Sequence, residues 1–167
     1  MPEEYSLGNV EVALSPLQRF EEYAQTHGMR MTKTRRSVLE HVFARHEHFD
    51  AETLLDQLPS HGQDGYVARA TVYRTLKEFV DAGLLREFQL DGRAVYEHDY
   101  GYPQHDHLYC QECQRLIEFQ SDELFELREA VARKANFRVA SHRFIITGVC
   151  AECRTSKRRR RQRLDMV

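Results

Sequence analysis

The chain has no run of about 18 consecutive apolar residues, so no segment is expected to cross a membrane as a helix. Its opening residues, MPEEYSLGNVEVALSP, are acidic and lack the basic-then-apolar order of an export signal. A cytoplasmic location is therefore expected. There is no H-E-x-x-H, no nucleophile elbow and no glycine-rich phosphate loop, which removes the usual signatures of metalloproteases, serine hydrolases and nucleotide-binding enzymes. Cysteine is scarce, with four in 167 residues. Net positive charge is absent too, the formal total being -2.

What is present describes a globular protein. Apolar residues make up 41% and charged residues 30%, and the length suits one ordinary domain or two small ones. Charge is unevenly placed. Residues 154–167 carry seven Lys/Arg against one Asp, a net +6, which leaves -8 on the rest. An acidic body does not advertise nucleic-acid binding, so that function has to come from a local surface. The tail has almost no apolar content and is expected to be disordered, either as a solvated end or as a non-specific phosphate-binding arm.

All four cysteines fall in two C-x-x-C pairs, Cys110/Cys113 and Cys150/Cys153, with 36 residues between the pairs. In a reducing compartment such pairs suit a tetrahedral zinc thiolate site better than disulfides. Four thiolates leave zinc no open position for water, so the role is structural. The intervening residues read as strand RLIEF (115–119), a helix capped by Ser121 with an apolar stripe of Leu124, Leu127 and Val131, and a longer strand FRVASHRFIITG (137–148).

The N-terminal half has the punctuation of four helices and a hairpin. Ser15-Pro16 starts a helix stopped by Gly28, Thr32 caps a second and Asp50 caps a short third. ARATVYRTLKEFVDAG then forms a fourth, ended by Gly83. Val72, Leu76, Phe79 and Val80 make its buried stripe, while Arg69, Tyr73 and Lys77 stack on the opposite side with Arg74 beside them. LLREFQL and RAVYEH flank Asp91-Gly92, a two-residue hairpin turn. This order predicts a winged helix-turn-helix whose fourth helix enters the major groove. Arg side chains there suit guanine edges, and Tyr73 suits a thymine methyl or a phosphate.

Between hairpin and first cysteine lies EHDYGYPQHDHLYC. His105 and His107 alternate along an expected strand, so both face one side and Asp106 the other. Imidazole and carboxylate ligands without thiolate suit Fe(II), Mn(II), Co(II) or Zn(II).

The succession R-x-T-x-x-R (Arg30, Thr32, Arg35), A-T-V-Y-R-T-L (70–76), Y-E (96–97), H-D-H-L-x-C-x-x-C (105–113), I-E-F (117–119), S-H (141–142) and G-V-C-x-x-C (148–153) closely resembles the ferric uptake regulator family. The match runs from about residue 15 to 153. The resemblance implies an α+β chain: a winged-helix DNA-binding domain over 15–98, a hinge at 99–103 and a small αβ dimerisation and metal-binding domain over 104–153. An extension, 1–14, would precede these and the basic tail, 154–167, would follow. It further implies a homodimer, or a higher oligomer, that represses genes by binding double-stranded operator DNA when a divalent metal is bound.

Carried over by position, the structural zinc falls to Cys110, Cys113, Cys150 and Cys153, and the regulatory metal to His48, Glu97, His105, His107 and Glu118. His46 and His98 are second choices for that metal. DNA contacts fall to Tyr73 and Arg74, with Arg69 and Lys77 on the same helix face and Arg30 at the minor groove. Two departures stand out. A further family metal site matches here at Asp106 and His142, but Gln104 replaces its first histidine and Phe125 its glutamate. Glu126 or Glu123 would complete it only with a shift of the helix; the alternative is a plain hydrogen-bonded Asp106–His142 pair. Ala68 also stands where the family usually has a serine cap.

Zinc-sensing relatives tend to place a cysteine in the regulatory site, and this chain has none to spare. Peroxide-sensing relatives use aspartates where Glu97 and Glu118 stand. Fe(II) sensing is therefore favoured over peroxide, zinc or manganese sensing. Two other classes compete: a metal-dependent hydrolase using His105/His107 with Glu118 as base, and a zinc-stabilised module that binds protein partners.

Overall fold

A computed structural model describes residues 10–155, so residues 1–9 of the expected extension and 156–167 of the basic tail lie outside the described residues. The chain divides into two compact units that meet in sequence between Pro103 and Gln104.

In the N-terminal unit the first three helices each begin where a side-chain oxygen takes up an orphan backbone N–H. Ser15 caps α1 (Pro16–Thr26) in a reciprocal capping box with Gln18. Thr32 caps α2 (Lys33–Phe43) through Arg35 N–H at 3.2 Å, and Asp50 caps α3 (Ala51–Gln57) through Thr53 N–H at 2.7 Å. The fourth helix, α4 (Arg69–Asp81), starts at Ala68 with no side-chain cap, an omission that typically costs about 1 kcal/mol. Tertiary packing offsets it, because Val72, Leu76 and Phe79 are fully buried. Phe79 meets Phe20 of α1 edge-on, with ring centroids 4.8 Å apart. On the rim, Arg35 of α2 donates two 2.8 Å hydrogen bonds to Glu78 of α4, a bidentate pair that pins the two helices. The expected stripe is confirmed except that Val80 is half-buried, while Thr75 joins the buried set.

Strands β1 (Leu85–Leu90) and β2 (Arg93–His98) pair antiparallel, with Leu90 opposite Arg93. The turn residues Asp91 and Gly92 both take positive φ, 50° and 76°, as a two-residue turn matching the strand twist requires. Helices α1–α4 with this hairpin make a winged helix-turn-helix. Residues expected to form a hinge belong to this unit: Asp99 and Tyr100 N–H both reach Leu84 C=O, and the Tyr100 hydroxyl donates to Leu14 C=O at 3.1 Å.

The C-terminal unit is a three-stranded sheet of order β4-β3-β5 with one long helix. Strand β3 (Asp106–Cys110) runs antiparallel to β4 (Leu116–Phe119) and parallel to β5 (Ile145–Gly148). Helix α5 (Asp122–Lys134) is capped by Ser121 and carries acids in its first turn and bases in its last, as its dipole favours. Three expectations change here. The strand foreseen over 137–148 is a strand only from Ile145 onward, and 137–144 lies outside the strands among the described residues. The apolar stripe of α5 is largely uncovered, Leu127 being 59% and Val131 58% exposed. Residues 151–155 are helical, so Arg154 and Thr155 continue the fold rather than begin a disordered tail.

Candidate metal centres and DNA-reading face

The cysteines converge because of strand register. β3 and β5 are parallel with Cys110 beside Gly148, so both strands deliver the chain to the same end of the sheet. There each makes its C-x-x-C turn, and Gln111 N–H ties the first to Gly148 C=O at 2.9 Å. All four sulfurs lie within 4.8 Å of one another. Cys113 Sγ and Cys150 Sγ are 3.9 Å apart. Zn–S bonds of about 2.3 Å in a tetrahedron place thiolates roughly 3.8 Å apart, so the cluster fits zinc with little adjustment.

The electrostatics point the same way. Backbone N–H groups of Cys150 and Cys113 lower the Cys110 thiol to about 6. The Cys153 thiol is pushed up to about 12, first by its hydrogen bond with Cys150 and then by burial. Four sulfurs this close cannot all ionise unless a cation neutralises them.

Two further groups of nitrogen and oxygen ligands form, one inside each unit. In the C-terminal unit His107 on β3 is the register partner of Glu118 on β4, so the two side chains share a face. His105 Nε2 lies 3.7 Å from Glu118 Oε1, and the two imidazole rings are 4.8 Å apart. Each of the three offers a ligand atom within 4.8 Å of the others. His105 and His107 are buried. In the N-terminal unit an isolated bridge between Phe49 and Tyr96 sets the preceding His48 beside Glu97, with Nε2 3.3 Å from Oε2. Glu97 is 5% exposed, and a carboxylate so placed demands a cationic or hydrogen-bonding partner. The second choices are engaged in packing: His98 stacks on Phe43, its Nε2 meets Val42 C=O at 3.1 Å, and its Nδ1 faces His46 Nδ1 at 3.3 Å.

Of the further site, only Asp106 and His142 come together, at 3.3 Å. Glu126 is exposed and joins no cluster of ligand atoms among the described residues, and Glu123 accepts a hydrogen bond from the Ser121 hydroxyl instead.

Arg69, Tyr73, Arg74 and Lys77 all project from α4 into solvent, and Arg30 is exposed ahead of α2. Lys77 pairs with Asp81 one turn on. Sequence reasoning missed Glu52. Its Oε1 accepts from both the Arg69 guanidinium and the Tyr73 hydroxyl, the latter at 2.7 Å. The bond to Glu52 also raises the Tyr73 phenol above its ordinary range. In sequence Glu52 looks like an ordinary first-turn acid of α3, which hides its tertiary role.

Comparisons with known proteins agree with this architecture. Residues 26–147 match the model of the ferric uptake regulator family. The ferric uptake regulation protein of Neisseria gonorrhoeae is 32% identical over 148 residues, covering 86% of this chain and 100% of that protein. The peroxide-responsive repressor PerR of Staphylococcus aureus is 29% identical over 126 residues, covering 75% of this chain and 83% of that protein. Among solved structures, the Vibrio cholerae ferric uptake regulator superposes with a TM-score of 0.65 at 31% identity, covering 78% of this chain and 98% of that one. Proteins of this kind are dimeric, metal-responsive transcriptional regulators and not enzymes, and this chain belongs to the ferric uptake regulator family.

Proposed function

We propose that this protein is a sequence-specific repressor that binds operator DNA as a homodimer when Fe(II) is available. The observation that carries the proposal is the pre-assembly of two nitrogen/oxygen ligand groups, His48/Glu97 in one unit and His105/His107/Glu118 in the other. Neither group alone satisfies a five- or six-coordinate ion, and both serve the same ion on this proposal. A divalent cation bound there would add positive charge beside both carboxylates. Because the ligands come from two units, holding them together restricts how the units are arranged. In a dimer this sets the separation of two recognition helices, which must match half-sites along the duplex. The structure of the Vibrio cholerae relative is described as revealing rearrangement of its DNA-binding domains, which supports a mechanism of this type.

Fe(II) is preferred because both carboxylates are glutamates and no cysteine remains outside the zinc cluster. Mn(II), Co(II) or Zn(II) would substitute in vitro, since such a site does not select by affinity alone. Cys110, Cys113, Cys150 and Cys153 would hold structural zinc. The uncovered apolar side chains of the C-terminal unit support dimerisation. Leu127, Val131, Phe137 and Phe144 border an open groove of about 430 Å³.

The double variant Tyr73→Ala/Arg74→Ala tests DNA reading. Affinity for the metal-dependent target should fall at least about 30-fold, from loss of base-edge and phosphate contacts. Zinc content and dimerisation should be unchanged. If α4 served as a protein-docking surface instead, the variant would bind DNA as the parent does.

Glu52 gives a second expectation. Its carboxylate occupies Arg69 and Tyr73 and adds negative charge where phosphates would approach. Glu52→Gln should raise affinity for random-sequence duplex about 3–10-fold at physiological salt and steepen the salt dependence by about one counterion. Fluorescence anisotropy at several salt concentrations checks both. An unchanged slope would show that Arg69 does not face DNA.

A further inference from the structure

We propose that Arg128 takes the place of a metal ion at the Asp106–His142 pair, so that this site is held by a built-in cation and binds no metal. The family resemblance implies an ion at this aspartate–histidine pair, and the residues present here do not fit one. His142 has two ring nitrogens, and both are engaged. Arg128 Nη1 lies 2.9 Å from His142 Nδ1. A guanidinium can only donate, so Nδ1 is the acceptor and carries the lone pair. The proton is then on Nε2, which donates to Asp106 Oδ2 at 3.3 Å. Asp106 Oδ1 accepts the Phe144 N–H at 3.0 Å. The result is a continuous guanidinium–imidazole–carboxylate chain in which no imidazole lone pair remains for a metal.

The residues that depart from the family pattern support this chain. Phe125, where a carboxylate ligand would stand, lies under the Arg128 guanidinium, with the charge centre 4.3 Å from the ring centroid. Gln104, where a histidine would stand, donates from its side-chain amide to the His142 backbone C=O at 3.2 Å. Glu129 accepts two hydrogen bonds from Arg128, at 3.0 and 2.8 Å, and fixes the guanidinium from its other side. Phe125, Arg128 and Glu129 lie within one turn of α5, so the helix replaces a ligand with an aromatic platform and a cation. A dication entering here would have to displace a charge of its own sign. Metal response in this chain would then rest on the other nitrogen/oxygen ligands alone, without a second regulatory ion.

The test counts exchangeable ions on the full-length, zinc-loaded protein. Mn(II) is titrated calorimetrically and bound metal is measured after gel filtration, for the parent and for His142→Ala. The two should bind the same number of Mn(II) ions per chain. Loss of one ion in His142→Ala would overturn the proposal. Since only the difference is read, the result stands whatever the number taken up by His105, His107 and Glu118. A triple variant, Gln104→His/Phe125→Glu/Arg128→Ala, is the converse. It should gain one Mn(II) per chain, and a folded triple variant that gains none would contradict the assignment of exclusion to these residues.

Discussion

Replacing His105 and His107 together by alanine is expected to leave a folded, zinc-containing dimer whose DNA affinity no longer rises when metal is added. Both imidazoles belong to the ligand group of the C-terminal unit, and neither is a sulfur ligand. Coupling between an effector and a second site is usually worth about 1–3 kcal/mol, or 5–150-fold in affinity. Driving a population from 1:99 to 99:1 takes about 5.5 kcal/mol of differential binding. The parent should therefore gain at least about 100-fold in DNA affinity on metal addition, and the double variant less than about 2-fold. Unfolding of the variant would be visible as loss of helix in circular dichroism and would not count as support. A retained metal response in a folded variant would move sensing elsewhere in the chain.

The second large effect concerns the cysteines. Cys113→Ser should release zinc and unfold the C-terminal unit, because that unit has little core to hold it otherwise. Its helix α5 buries only Ala132 fully, and its sheet has three short strands. Binding free energy at structural zinc sites is about 10–16 kcal/mol in small zinc modules, and there it is folding free energy. Zinc per chain should fall from about one to nearly zero, and sedimentation should report monomers. The N-terminal unit should still melt cooperatively, since Phe20, Val38, Leu76, Phe79 and Leu84 form its own core. A dimeric variant lacking zinc would mean that the cluster does not hold the fold.

Much of this architecture was legible in the sequence because its signals are local. Ser15, Thr32, Asp50 and Ser121 each cap the helix they announce, and Asp91-Gly92 makes the hairpin turn. The C-x-x-C pairs declare their chemistry by spacing, and the parallel register of β3 and β5 explains why distant pairs meet. What escaped depends on neighbours remote in sequence. The pattern of 137–148 reads as one strand, but pairing, not propensity, decides where a strand forms, and β3 reaches only 145–148. The stripe on α5 was rightly apolar, yet apolar character alone does not say which chain covers it. Glu52 and Arg128 look like ordinary solvated helix residues. Their partners, Arg69, Tyr73 and His142, lie 14 to 21 residues away.

Selection of DNA from a random duplex library by the full-length protein, in anaerobic buffer with Fe(II) and in parallel with a chelator that spares the zinc, tests metal-dependent sequence recognition most directly. Enrichment of a two-fold symmetric sequence with Fe(II), and of none with the chelator, is the expected result. Equal enrichment in both arms, or no enrichment in either, would contradict it.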